Sequence, residues 1–89
     1  MTRWTVTWTK AAENYYKRME RAYQVRFQKA VQELEIDPIA SKNVKRLHGE
    51  LEGLYRFRVG RFRMVFRIIE EAREVRILAI ASRGDVYKH

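Results

Sequence analysis

The stretch LYRFRVGRFRMVFRI, residues 54–68, alternates large apolar residues with arginine and is interrupted once by glycine. Consecutive side chains of a strand point to opposite faces of a sheet, so this alternation predicts β-structure. Glycine at the first central position of a two-residue turn favours a type II′ hairpin. We therefore expect two strands, LYRFRV and FRMVFRII, to pair around Gly60–Arg61.

The predicted hairpin has one apolar face and one cationic face. With a turn at Gly60–Arg61, Arg58 lies directly opposite Arg63. The apolar face carries Tyr55, Phe57, Val59, Phe62, Met64 and Phe66. The opposite face carries Arg56, Arg58, Arg61, Arg63 and Arg67.

The clustering of positive charge on the cationic face should destabilise the hairpin, so it needs an explanation. Like charges opposite each other on a sheet are destabilising by up to roughly 1 kcal/mol per pair. One reading is that both guanidinium groups extend into water, where salt screens their repulsion. The other is that this face is a basic surface that phosphate groups occupy.

The N-terminal half predicts a strand followed by helix. RWTVTWT, residues 3–9, alternates with period two and is rich in β-branched and aromatic residues. From Lys10 to Ile36, apolar residues recur at spacings of three and four, which indicates an amphipathic helix. Thr9 is a suitable N-cap, and the helical pattern ends at Asp37–Pro38 because proline disfavours a helical residue before it.

One uninterrupted helix over this range would be about 40 Å long at 1.5 Å per residue. A domain of this size is only about 30 Å across, from a radius of gyration near 12 Å. We therefore expect two helices folded back on each other, with a break near residues 18–23.

After the helices, residues 37–53 read as a basic connection without a clear period, EEARE as a polar connection, and VRILAIA as a last strand. The predicted fold class is α+β, with an N-terminal strand, a helical hairpin and a three-stranded antiparallel meander. The meander should form a small curved sheet packed on the helices, and residues 1–89 should form a single domain.

Composition narrows the class of function. The 89 residues carry a net charge of +8, which points to a polyanion or an acidic partner. From Arg46 onward, nine of the ten basic residues are arginine, which favours bidentate phosphate recognition over generic solubility. The absence of cysteine excludes disulfides and thiolate zinc sites, and two histidines are too few for a metal cluster. We expect no metal, no cofactor, no membrane span and a cytoplasmic location.

LYRFRVGRFRMVF followed by VRILAIASRGDVYKH resembles the RelE/ParE superfamily of bacterial and archaeal toxin–antitoxin toxins. The order of predicted elements is also that of the superfamily, so the resemblance covers nearly the whole chain. It implies either a RelE-type activity, cleavage of messenger RNA in the ribosomal A site, or a ParE-type activity, inhibition of DNA gyrase. It also implies a small acidic antitoxin as partner and a toxin–antitoxin hetero-oligomer.

The ending SRGDVY resembles the RelE type, in which an arginine and a later tyrosine return to the basic cleft. That match assigns these two roles to Arg83 and Tyr87. Arg56 and Arg58 match the paired basic positions of the family, and Arg63 matches its arginine in the following strand. The best-known RelE-type cleft has lysines at the paired positions, and arginine cannot replace lysine as a base, so a lysine-base mechanism does not transfer.

The resemblance therefore predicts a metal-independent endoribonuclease in which the 2′-hydroxyl attacks the adjacent phosphate. Its catalytic candidates are Arg56, Arg58, Arg63, Arg83 and Tyr87. Its candidates for contact with RNA backbone, including ribosomal RNA, are Arg61, Lys42, Lys45, Arg46 and Lys88. Three alternatives stay open: a gyrase inhibitor, a non-catalytic RNA-binding domain, and a repressor partner without activity.

Overall fold

In the computed structural model, which describes residues 3–82, two helices pack on a five-stranded sheet. In chain order the elements are β1 (Thr5–Trp8), α1 (Lys10–Lys17), α2 (Arg21–Ile36), β2 (Val44–Arg46), β3 (Tyr55–Val59), β4 (Phe62–Ile69) and β5 (Glu74–Ser82). The strand order is β1-β5-β4-β3-β2, with β1 parallel to β5 and every other pair antiparallel. The predicted α+β class, with an N-terminal strand, helices and a strand meander, is confirmed.

The β3–β4 hairpin has the predicted register. Val59 pairs with Phe62 and Arg58 pairs with Arg63, so the turn consists of Gly60 and Arg61. Gly60 has a φ of +60°, which a type II′ turn requires at its first central residue. A Cβ at Gly60 would lie only 3.0 Å from Cε1 of Tyr23 on α2. Glycine therefore serves both the turn and its close approach to the helix.

The start of α1 is tied to the sheet by one threonine. The Thr9 hydroxyl accepts a hydrogen bond from the Ala12 N–H at 3.2 Å, as the predicted N-cap should. The same hydroxyl donates to the Leu78 carbonyl oxygen at 2.8 Å. Leu78 is the extra residue of a β-bulge, because Ile77 pairs with Phe66 and Ala79 pairs with Val65. The cap therefore joins the helix to an irregular point of β5.

The predicted break between the helices is confirmed at residues 18–20. The N–H groups of Arg18 and Met19 donate to the carbonyl oxygens of Tyr15 and Tyr16, which tightens the end of α1. The Gln24 side-chain amide, one turn into α2, also donates to the Tyr16 carbonyl at 2.9 Å. This hydrogen bond from the Gln24 side chain satisfies a carbonyl group at the end of α1, where the sequence has neither glycine nor proline.

The connection over residues 37–53 contains a strand that the sequence analysis missed. Only three residues, Val44–Arg46, form β2 at the edge of the sheet. A segment this short contains one apolar residue and cannot display a period of two. Its pairing with β3 therefore depends on tertiary context.

The core lies between the helices and the apolar face of the sheet. All six hairpin residues predicted for the apolar face contribute to it, with Tyr55 partly buried at its margin. From the helices, Phe27 and Leu34 are fully buried. The aromatic residues Trp4, Trp8, Tyr15, Tyr16 and Tyr23 are partly buried and pack around this cluster.

Candidate nucleic-acid interface

We call the face of the hairpin that points away from the helices the outer face. This face carries the arginines. On this face Arg58 of β3 and Arg63 of β4 are direct cross-strand partners. Together with Gly60 and Arg61 they line an open surface cavity of about 430 Å³. Three arginine residues therefore border one cavity near the turn. Arg58 is exposed and Arg63 is half-buried, so the cavity is accessible from solvent.

Arg56 is held at the side of this face that borders β2. Its Nη1 donates to the Asn43 carbonyl oxygen at 2.7 Å, and the side chain is half-buried. The backbone N–H of Arg58 donates to the same carbonyl at 3.1 Å. One backbone oxygen thus orients the Arg56 side chain and aligns the strand that carries Arg58. Because this contact is to a main-chain atom, no residue type at position 43 could have indicated it.

Arg61 differs from the sequence prediction in its orientation. Its guanidinium carbon lies 5.1 Å from the ring centroid of Phe62 and 6.0 Å from that of Tyr23, both on the helix side of the turn. The attraction between a cation and an aromatic face accounts for this orientation. Arg61 therefore lies at the rim of the outer-face cavity and contacts both sides of the hairpin.

The predicted RNA-binding residues of the connection separate onto different surfaces. Lys45 on β2 is the cross-strand partner of Arg56 and extends the basic outer face. Arg46 pairs with Tyr55, and its guanidinium carbon lies 6.0 Å from the Tyr55 ring centroid on the opposite face. Lys42 is exposed in the turn before β2. The structure thus brings only Lys45 of these three to the outer-face arginines.

Three predicted site residues, Arg83, Tyr87 and Lys88, lie outside the described residues. Within residues 3–82, no group of three or more histidine, cysteine, aspartate or glutamate side chains could hold a metal ion. The helices of this part of the chain are all too short or too polar to cross a membrane.

Charge on the outer face is balanced unevenly. Near β1, the Thr7 hydroxyl donates to Oε2 of Glu74 at 2.6 Å, and Nη2 of Arg76 lies 3.0 Å from the same oxygen. The Thr7 hydrogen bond lowers the pKa of Glu74, burial opposes the shift, and Arg76 adds to it. At the other end, Arg58 and Arg61 form no salt bridge with any described residue. Among the described residues, a carboxylate therefore offsets arginine charge near β1 but not at Arg58 and Arg61 near the turn.

This arrangement can stabilise negative charge, but its described part lacks an obvious base. Guanidinium groups bind phosphate oxygens in bidentate geometry and remain protonated at any physiological pH. Preorganised donors of this kind usually contribute most of the stabilisation of a developing anion. The outer-face cavity is therefore suited to holding a phosphate as it gains charge.

Comparison with known proteins identifies the family of the chain. The family model described as "ParE toxin of type II toxin-antitoxin system, parDE" matches residues 6–87 of the chain. No curated protein sequence is significantly similar to it.

Solved structures of toxin–antitoxin complexes are similar in fold. A chain of the RelE–RelB complex from Pyrococcus horikoshii OT3 is 27% identical with a TM-score of 0.81, over 96% of this chain and 99% of that chain. A chain of the RelBE2 complex from Mycobacterium tuberculosis is 28% identical with a TM-score of 0.77, over 91% and 99%. The intact Escherichia coli RelBE complex matches at 16% identity with a TM-score of 0.76, over 89% and 95%. At that identity the last match shows the fold alone.

Proposed function

This chain belongs to the ParE toxin family of type II toxin–antitoxin systems, within the RelE/ParE superfamily, and we propose that it is an endoribonuclease that cleaves messenger RNA in the ribosomal A site. The observation that carries the proposal is the meeting of Arg58, Arg61 and Arg63 at one solvent-accessible cavity. A surface with that density of positive charge suits an RNA phosphate.

The proposed reaction is attack of a ribose 2′-hydroxyl on the adjacent phosphate. A bond forms between O2′ and phosphorus, the bond from phosphorus to O5′ breaks, and the products are a 2′,3′-cyclic phosphate and a 5′-hydroxyl. The proton lost from the 2′-hydroxyl is balanced by the proton gained at O5′. The extra negative charge of the phosphorane is what the protein must stabilise.

We assign Arg63 to the scissile phosphate because it is half-buried at the centre of the basic face and faces Arg58 directly. Arg56 and Arg58 orient the neighbouring phosphates. The hydrogen bond from Arg56 to the Asn43 carbonyl oxygen holds the Arg56 side chain in position. By resemblance, Arg83 is a second charge stabiliser and Tyr87 stacks on a base or approaches the 2′-hydroxyl. Stacking on one base is worth about 1–3 kcal/mol.

Because the described outer face lacks histidine and lysine other than Lys45, we expect slow cleavage of free RNA. The ribosome then supplies substrate alignment, which can account for a large part of a rate enhancement. The mechanism as proposed uses no metal ion.

We also propose that the chain is neutralised by a small acidic antitoxin encoded with it. The solved relatives from P. horikoshii and M. tuberculosis are toxin–antitoxin complexes, which supports this partner. The net charge of +8 favours an acidic segment that becomes ordered on binding.

The test is to add the purified protein to a cell-free translation reaction and to map new RNA 5′ ends. Wild type should cut within ribosome-occupied codons. Arg63→Ala should reduce the cleavage rate by about 10²–10³-fold, the usual cost of removing one charge-stabilising donor. Arg67→Ala, on the same strand and face but outside the cavity, should change the rate only a few-fold.

Cutting at the wild-type rate by a folded Arg63→Ala variant would remove Arg63 from the proposed mechanism. RNA binding without new 5′ ends would indicate a non-catalytic RNA-binding domain or repressor partner instead.

A second candidate function is inhibition of DNA gyrase, because the matching family model is that of ParE. In that case the protein should inhibit supercoiling by purified gyrase and leave messenger RNA intact in the translation reaction. Loss of messenger RNA with unaffected supercoiling excludes it.

A further inference from the structure

We propose that a groove between α2 and the tip of the hairpin is a second phosphate-binding site for RNA, formed by Arg26, Lys29 and Arg58. The inference rests on the proposed function and deepens it, because it extends the path of the same RNA from the outer face to the helix side. Sequence patterns alone did not single out Arg26 or Lys29.

The groove has a volume of about 410 Å³ and two polar walls. One wall is α2, which contributes Arg26, Lys29 and Glu33. The other is formed by Asn43, Arg58 and Gly60. Three cations and one carboxylate border it, so its net charge is positive.

The floor of the groove favours a polar ligand. Its apolar lining residues, Ala30, Phe57 and Val59, are each at most 5% exposed because they belong to the core. An amphipathic peptide needs exposed apolar surface for its anchoring side chains. A phosphate backbone needs only cationic donors, so RNA is the better match to this surface.

Arg26 is oriented before any ligand binds. Its guanidinium carbon lies 5.2 Å from the ring centroid of Tyr23, within the range of a cation–π contact. The same group lies against the turn, since a Cβ at Gly60 would be 3.1 Å from Nη1 and 3.3 Å from Nη2. Arg26 forms no salt bridge with the described residues, so its donors are available to an anion. An ordered guanidinium loses less side-chain entropy on binding than a mobile one.

Arg58 joins this groove to the outer face. It lines both the groove and the cavity that it shares with Arg61 and Arg63. The basic surface is therefore continuous around the glycine of the turn. A single anion could occupy one of the two cavities, whereas a strand with repeated phosphates can occupy both at once.

The test measures RNA binding separately from cleavage. The probe is a short single-stranded RNA with 2′-O-methyl groups, which lacks the attacking hydroxyl and cannot be cut by the proposed reaction. Binding is measured over a salt series from about 50 to 200 mM, because each phosphate contact on a single strand adds about 0.7 to the slope of log affinity against log salt.

Arg26→Gln/Lys29→Gln should lower the magnitude of that slope by about 1.4, corresponding to two lost phosphate contacts. Lys10→Gln/Lys17→Gln is the matched control, since it also removes two positive charges from helix surfaces but neither residue lines the groove. Arg26→Lys/Lys29→Arg keeps both charges and should keep the slope. Thermal unfolding verifies that each variant is folded.

Equal slopes for the groove variant and the control would overturn the inference. It would also be overturned if the groove variant lost binding to a polyglutamate peptide but kept full RNA binding, since the groove would then be a protein-docking surface. A lowered slope in a protein that never cuts messenger RNA would support the groove while rejecting the proposed nuclease activity.

Discussion

The two faces of the β3–β4 hairpin have opposite effects on the stability of the fold. Toward the helices, Phe57, Met64 and Phe66 are at most 3% exposed and form the centre of the core. On the outer face, Arg58 is placed opposite Arg63, where repulsion opposes folding. The comparison teaches that one strand pair can supply stability on one side and tolerate an unfavourable charge arrangement on the other. Four pairs of variants test that division.

The largest effect is expected from the buried face. Met64 is completely buried, and Met64→Ala should lower the free energy of unfolding by about 2–5 kcal/mol through lost burial and a residual cavity. Arg67→Ala, on the exposed side of the same strand, should change it by only about 0.5 kcal/mol. Urea unfolding monitored by tryptophan fluorescence measures both. Similar losses in the two variants would mean that the outer face also supports the fold.

The turn that joins the two faces should be next in sensitivity. Gly60→Ala forces a positive φ on alanine and pushes its Cβ against the Tyr23 ring, so we expect a loss of about 1–3 kcal/mol. Gly53 also has a positive φ, but nothing lies within 4 Å of a Cβ built there. Gly53→Ala should therefore cost less in the same urea experiment. Equal costs would show that backbone strain alone, and not contact with α2, requires glycine at the turn.

Relief of repulsion on the outer face should produce a gain in stability. Arg58→Thr removes one member of the pair with Arg63 and should raise the free energy of unfolding by up to about 1 kcal/mol at low salt. The gain should shrink near 1 M salt, where the Debye length is about 3 Å. Arg67→Thr should gain less, because its partner Arg76 is already paired with Glu74. A gain independent of salt would point to strand propensity rather than charge.

The smallest effect concerns Glu74, the carboxylate that pairs with Arg76 on the outer face. Thr7→Val removes the hydrogen bond that most lowers the pKa of Glu74, so that pKa should rise toward its ordinary value of 4.5. A folded-state pKa below the unfolded value stabilises the protein above pH 4.5, and the contribution disappears as pH falls through the folded-state pKa.

The difference in the free energy of unfolding between wild type and Thr7→Val should therefore be largest near neutral pH. It should disappear in acid. Carbon NMR of the Glu74 carboxyl group measures the pKa, and urea unfolding at neutral and acidic pH measures the difference. Thr5→Val, also on β1, is the control and should leave the pKa unchanged. A wild-type pKa for Glu74 in Thr7→Val would assign its shift to Arg76 instead.

The amino-acid sequence by itself determined the hairpin, its register and its two faces. These features depend on a period of two and on a glycine at one turn position, and both act between near neighbours in the chain. Local sequence also determined the N-cap of α1 at Thr9 and the end of α2 before Asp37. A hydroxyl cap and a following proline both act within one turn of helix. The charge of the outer face followed from the same alternation.

The pairing of Arg58 with Arg63 followed from the sequence, but tertiary structure alone decided the other contacts of the arginines. Alternation assigns a side chain to a face, but a long flexible side chain then selects partners that are distant in sequence. Arg56 bonds the Asn43 carbonyl, Arg61 turns toward aromatic rings, and Arg26 of α2 reaches the hairpin turn. The strand β2 and the cap from Gln24 to Tyr16 likewise depend on neighbours that only the folded chain supplies. Local patterns specify faces, whereas the convergence of charge at one site requires packing between elements.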